Sequence, residues 1–211
     1  MIIYNLFRIY PTLKSFFYIY WNRIKFRILG INYGHNMCAN NEVYVIGRGK
    51  ITIGDDFRFT SGSGLNPISR NIKGEFKLGA KDASIEIGNN VGMSSSCIWA
   101  RKRISIGDNV NIGGDCIIID SDIHSHNFIE RRKGHAPLNG KYKIIPSVPI
   151  VIEDDVWLGA RCMVLKGVHI GARSIIAAGS VVINDIPSDV VAGGNPCKVI
   201  KKINQDIKET E

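Results

Sequence analysis

Residues 152–182 read IEDDVWLGARCMVLKGVHIGARSIIAAGSVV. An aliphatic residue stands at every sixth position of this stretch: Ile152, Leu158, Val164, Ile170, Ile176 and Val182. Four positions after each of the first five comes a small or β-branched residue, Val156, Cys162, Val168, Ser174 and Ser180, and Gly159, Gly171 and Ala177 directly follow an aliphatic. A period of six fits neither a 3.6-residue helix nor a strand of period two. It fits a chain that turns a corner every six residues, so that three corners close a triangular coil of about eighteen residues.

The spacing recurs upstream as Ile87, Met93, Trp99 and as Ile106, Ile112, Ile118, with Val91, Cys97, Val110 and Cys116 at the small-residue position. This register predicts one structural role for Cys97, Cys116 and Cys162. Earlier fragments, Ile31–Met37–Val43 and Ile53–Phe59–Leu65, place the start of the solenoid near residue 31. Each coil can bury its aliphatics only against its neighbours, so several must stack and both ends need caps. Between Ile118 and Ile152 the period breaks, and a loop over 124–150 is expected. The interval holds His124, His126, His135 and the run Glu130-Arg131-Arg132-Lys133. Long insertions into compact domains are uncommon and often functional, so the chemistry is sought there.

A chain of 211 residues, 45% hydrophobic and 22% charged, has the composition of a globular domain with a core. The period divides it into an N-terminal helical segment (1–30), the solenoid (31–200) and a tail (201–211). No apolar run near the N-terminus approaches the roughly 20 residues that cross a bilayer, and no secretory cleavage site follows one, so neither feature is expected. Five widely spaced cysteines (Cys38, Cys97, Cys116, Cys162, Cys197) suit buried thiols in a reducing cytoplasm rather than a disulfide framework or a cysteine zinc site. The net charge of +8 is concentrated locally: Arg8, Lys14, Arg23, Lys25 and Arg27 all precede the first acid, Glu42. Without a zinc finger, helix-turn-helix or RNA-binding sheet motif, nucleic acid is not the expected partner.

Over residues 12–29, Leu13, Phe16, Phe17, Tyr20, Trp21, Ile24 and Ile28 fall at helical spacing, with Lys14, Ser15, Asn22 and Lys25 opposite. Packed against the first coil or between subunits, the apolar side makes a cap. Nine of the eighteen aromatic residues lie in the first thirty positions beside those five cations, which also suits a peripheral anchor on anionic lipid.

The segments Val156-Trp157-Leu158-Gly159-Ala160, Val164-Leu165-Lys166-Gly167-Val168, Ile176-Ala177-Ala178-Gly179-Ser180, Asp185-Ile186-Pro187 and Gly194-Asn195-Pro196-Cys197-Lys198-Val199-Ile200 resemble the hexapeptide-repeat acetyltransferases. More narrowly they are similar to bacterial O-acetyltransferases of capsule and lipopolysaccharide sugars, relatives of the galactoside and maltose acetyltransferases. The resemblance is strong over 150–200 and fair over 85–125. It implies an all-β fold, a left-handed parallel β-helix, assembled as a homotrimer that binds acetyl-CoA between neighbouring solenoids and needs no metal. It also implies that His124 takes the proton from a sugar hydroxyl attacking the thioester. One imidazole near neutral pKa and an oxyanion donor meet the needs of that chemistry. Asp122, Ser95 and Trp157 form the orienting or acceptor-binding set, with Ser95 standing where many relatives carry asparagine. The resemblance gives Ala160, Ala178, Ile183 and Asn184 to the pantetheine arm and Lys198 and Lys201 to the phosphates of coenzyme A.

Four other readings compete with this one. His126 is the base if the register is two residues off. An N-acetyltransferase acting on an amino-sugar nucleotide would share solenoid and donor. A metal-dependent hydratase on the same solenoid would use His124, His126 and His135 as ligands. A solenoid used only for scaffolding would bind no coenzyme A.

Overall fold

The computed structural model describes residues 2–62, 66–69, 72–132 and 145–203. Leu65, Lys133 and His135 lie outside them. The fold is a left-handed parallel β-helix of three sheets, preceded by a helix over Ile2–Ile28. The first face stacks Asn32–Tyr33, Lys50–Ile53, Ser84–Ile87, Arg103–Ile106, Ile150–Ile152 and His169–Ile170. The second stacks Cys38–Asn40, Arg58–Thr60, Gly92–Ser94, Asn111–Ile112, Trp157–Leu158, Ile175–Ile176 and Val190–Gly193. The third stacks Val43–Gly47, Gly74–Leu78, Cys97–Ala100, Ile117–Ile119, Met163–Leu165 and Val181–Val182. Strands stacked within a face run parallel, except that Lys198–Lys202 returns antiparallel to Val190–Gly193.

Strict parallel register turns the six-residue period into columns. Ile53, Ile87, Ile106, Ile152 and Ile170 stack on the first face. Phe59, Met93, Ile112, Leu158 and Ile176 stack on the second, and Phe76, Ile98, Ile118, Val164 and Val182 on the third. All fifteen are buried. Each such side chain removed from water contributes roughly 1.5–3 kcal/mol, and the columns supply the core that no single coil could form. Towards the N-terminus the core turns aromatic, with Phe59 and Phe76 ring centroids 5.4 Å apart and Phe57 and Phe26 beside them. Gly74 is dictated by this cluster, since a Cβ there would lie 2.1 Å from the Phe59 ring.

The corners need left-handed backbone. Asn36, Asp56, Asn90, Asn109, Asp155 and Arg173, all at positive φ, turn the first face into the second. Asp55, Asn89, Asp108 and Asp154 stand beside most of these corners, and each accepts a backbone N–H from the preceding coil at 2.6–2.9 Å.

Two parts of the sequence register shift. Ile98, not Trp99, points into the third column, because the corner from Met93 to Ile98 is one residue shorter than the corner from Ile112 to Ile118. Ser96 therefore stacks with Cys116 and Cys162, and Cys97 faces outward and is only partly buried. The tail also differs: Lys201 and Lys202 belong to the last strand.

The helix begins at Ile2, runs through Pro11, and packs with the opposite side from the one its apolar stripe suggests. Asn22 and Phe26 are fully buried. The Asn22 carboxamide donates to the carbonyls of Ala39 (2.9 Å) and Asn41 (2.6 Å), Ser15 donates to Asn40, Arg23 to the carbonyl of Met37, and Lys25 to that of Val43. Leu13, Phe16, Phe17, Tyr20, Trp21, Ile24 and Ile28 are 44–76% exposed. The first coil has no preceding coil to satisfy its edge carbonyls, and buried carbonyls need donors, which only the polar side of the helix offers.

Candidate active site

The loop leaves the third face at Asp120 and returns at Ile150. Asp120 is fully buried and accepts the backbone N–H groups of Arg101 (2.6 Å), Lys102 (2.6 Å) and Arg103 (2.8 Å) in the turn one coil above. Burial pushes its carboxyl above the usual range, while the three N–H donors pull the other way. The loop base is closed by Val148 N–H to the Asp120 carbonyl (2.9 Å) and by an antiparallel bridge between Ser121 and Ser147.

Immediately beyond the base the backbone folds sharply. Ile123 has φ 63° and the His124 N–H meets the Asp122 carbonyl at 2.6 Å, the pattern of a γ-turn. A β-branched residue in left-handed backbone is strained, and such strain clusters at functional sites. The turn leaves His124 exposed at the edge where the third face meets the first. Asp122 uses both oxygens: Oδ1 meets Lys166 Nζ at 2.9 Å and Oδ2 meets His126 Nε2 at 2.6 Å. The carboxylate–imidazole pair is thus Asp122 with His126, and Lys166, which the sequence reading passed over, anchors it to the following coil. A lysine at that corner, in line with the loop's departure, was the available signal. A short helix, Phe128–Arg132, follows, and its Arg131 guanidinium holds the carbonyls of Ser125 and His126.

Of the remaining residues, Ile183 and Asn184 continue the same edge in line with Leu165 and Lys166, and the others lie elsewhere. Ala160 and Ala178 form a ladder of small residues with Gly113 where the second face meets the third. An added Cβ on Gly113 would meet Ala160 N at 2.5 Å, and Gly179 N–H donates to the Ala160 carbonyl at 2.9 Å. Ile183 and Asn184 follow the next third-face strand, both exposed. Lys198 and Lys201 are exposed on the antiparallel strand, opposite Gly193 and Val191. Trp157, 52% exposed, lines a recess of about 250 Å³ on the second face with Arg58, Thr60, Ser94 and Asn111. Ser95 is fully buried, accepting from Gly62 N–H at 3.0 Å and donating to the Thr60 carbonyl at 3.3 Å, so its hydroxyl serves the corner.

One chain therefore joins Ala160, Ala178, Trp157, Lys198 and Lys201 along the second face and its edge, and joins His124, Asp122, His126 and Lys166 at another edge. Among the described residues no three His, Cys, Asp or Glu side chains are grouped to hold a metal ion. Burial raises the Cys97 thiol to about 11, and contact with the Cys162 thiol, then burial, raises that of Cys116, which suits packing rather than reactivity.

The bacterial transferase hexapeptide family (six repeats) matches residues 149–184, and the hexapeptide repeat of succinyl-transferase matches 103–121. The galactoside O-acetyltransferase of Lactococcus lactis is 44% identical over 101 residues, which is 48% of this chain and 44% of that protein. The 2,3,4,5-tetrahydropyridine-2,6-dicarboxylate N-acetyltransferase of Clostridium perfringens is 49% identical over 61 residues, 29% of this chain and 26% of that protein. The chain thus spans less than half the length of either relative. A solved galactoside acetyltransferase in complex with coenzyme A superposes with a TM-score of 0.51 at 27% identity, covering 82% of this chain and 65% of that one.

Proposed function

We propose that this chain, a hexapeptide-repeat protein of the acetyltransferase family, transfers an acetyl group from acetyl-CoA to a sugar hydroxyl of a bacterial surface polysaccharide or its precursor. The observation that carries this reading is the strained γ-turn that presents His124 between two stretches matching hexapeptide-transferase repeats, 103–121 and 149–184. The imidazole takes the hydroxyl proton as the oxygen attacks the thioester carbon. The new C–O bond forms, the C–S bond breaks, and the proton passes to the departing sulfur. The small ladder at Gly113, Ala160 and Ala178 suits close passage of a pantetheine arm along backbone, and Ile183 and Asn184 would meet the arm from the edge that carries Lys166. Lys198 and Lys201 suit its phosphates. Because the small ladder and the two lysines lie apart from the edge that carries His124, the reading requires two copies to complete a site, as in a homotrimer. Trp157 supplies an apolar wall for the acceptor, and Asp122 steadies the loop through Lys166 and His126.

A second assignment of the base has its own support, since the carboxylate contact falls on His126, the arrangement that orients a general base. The likeness to an N-acetyltransferase keeps an amino-sugar acceptor as the alternative substrate, although the longer match is to the O-acetyltransferase. The exposed aromatic side of the N-terminal helix, with cations around it, supports peripheral contact with an anionic membrane surface. Among the described residues no helix is long and apolar enough to cross a membrane. Incubation with labelled acetyl-CoA and a panel of hydroxyl and amino sugars tests the reading, which requires label on oxygen; label on nitrogen alone would replace it with the alternative.

A further inference from the structure

A second recess, of about 510 Å³, opens on the edge where the third face meets the first, over the coils that precede the loop. Its lining is Arg48, Leu78, Gly79, Ala80, Lys81 and Arg101. The three cations come from three successive corners, one coil apart, on backbone stacked at roughly the 4.8 Å spacing of neighbouring strands. The same three turns, residues 47–50, 78–83 and 100–103, carry six basic residues against one acid, Asp82. Arg103 is paired with Glu86, but among the described residues Arg48 and Lys81 have no carboxylate partner. Leu78, buried, and Ala80, packed on the core, give the recess an apolar floor. Arg101 is fixed from below, because its turn is tied through three N–H groups to Asp120, the residue from which the loop departs. His124 is four residues further on, within about 14 Å of chain.

We infer that this recess is an anion subsite, and that the acceptor is a sugar carrying a phosphate or diphosphate ester whose charge is held by Arg48, Lys81 and Arg101 while the sugar reaches the catalytic loop. The inference rests on the acetyltransferase reading for the identity of the reacting sugar, but the anion site itself does not. Arg48 and Lys81, unpaired beside Arg101 in turns with six basic residues and one acid, repel one another, and an extended dianion spanning two corners relieves that repulsion. Arginine suits the bidentate grip that phosphoryl oxygens accept. A neutral glycoside would leave the row uncompensated.

The full chain, saturated with coenzyme A so that the donor site is filled, is titrated calorimetrically with inorganic pyrophosphate as the probe. Wild type should bind it, and Arg48→Glu and Lys81→Glu should each weaken binding roughly 10- to 100-fold, the worth of a charge-assisted hydrogen bond. Both side chains are exposed, so the variants should keep the wild-type melting temperature. In parallel, acetyl transfer is compared for a methyl glycoside, a nucleoside-diphosphate sugar and a polyprenyl-diphosphate sugar in micelles. The KM of the charged acceptors should rise in both variants by the same factor while that of the glycoside stays unchanged, and the better of the two charged acceptors identifies the source of the phosphate. Absence of pyrophosphate binding, or binding that both reversals leave intact, overturns the subsite whatever the activity. Intact, reversal-sensitive binding without transfer to any sugar supports the subsite and defeats the acetyltransferase reading instead.

Discussion

Asp120→Ala removes the carboxylate that accepts three successive backbone N–H groups at 2.6, 2.6 and 2.8 Å. Hydrogen bonds to a charged group each contribute about 1.5–3 kcal/mol net, which sums to roughly 5–9 kcal/mol if nothing opposes them. Burial does oppose them. It raises the Asp120 carboxyl, and desolvating a carboxylate costs several kcal/mol. We expect a net loss of about 2–4 kcal/mol, because the variant relieves the buried charge but leaves three donors facing a cavity. Equilibrium urea unfolding reads the total, and amide hydrogen exchange at Arg101, Lys102 and Arg103 localises it. Those amides should exchange much faster in the variant, and acetyl transfer should fall with them, since the same side chain anchors the loop carrying His124. A loss below about 0.5 kcal/mol with protection unchanged would refute this account of the turn.

The same carboxyl gives a signed pH dependence. Its native pKa lies above the unfolded value, so the native state holds the proton more tightly, and its contribution to stability is fullest at low pH and declines as pH rises through the native pKa. The stability of wild type relative to Asp120→Asn should therefore be more favourable near pH 4 than at pH 7, and the opposite slope would contradict the assigned cause. Lys198→Glu and Lys201→Glu should raise the KM for acetyl-CoA more than they lower turnover, because phosphate contacts are alike in ground and transition states; steady-state kinetics checks this. Phe17→Lys and Trp21→Lys, on the exposed side of the helix, should leave the melting temperature within a degree or so yet weaken flotation with anionic liposomes at low salt. Asn22→Leu should instead cost about 1–3 kcal/mol, since the carbonyls of Ala39 and Asn41 lose their donor.

Much of this fold was legible because a solenoid repeats one instruction. From Ile152 to Val182 the six-residue period marks each inward side chain, and the structure stacks them as read. The period misled where a corner changed length, since nothing local distinguishes Met93-to-Ile98 from a six-residue side and Trp99 is as apolar as Ile98. The helix showed a harder limit. Amphipathic spacing reports that two faces differ, but which face docks depends on what waits for it, and the first coil offers open carbonyls that Asn22, Arg23 and Lys25 satisfy. At the candidate site the loop that carries His124 was legible from the break in the period. Asp120 was not, because a carboxylate closing the run Ile117-Ile118-Ile119 acquires its role only from backbone donors seventeen to nineteen residues away. Lys166 offered only its place at the corner in line with the loop's departure, since its partner Asp122 is brought to it by the stacking of coils.

The central claim is that His124 is the base, and turnover of His124→Ala beside His126→Ala tests it most directly. Saturating acetyl-CoA and acceptor should give a fall of roughly 10² to 10⁴ in His124→Ala, with coenzyme A binding intact, and the acid limb of the wild-type pH profile should disappear with it. His126→Ala should lose far less, since Lys166 still holds Asp122 in place. An inactive His126→Ala beside an active His124→Ala would contradict the account and move the base to the imidazole that Asp122 touches.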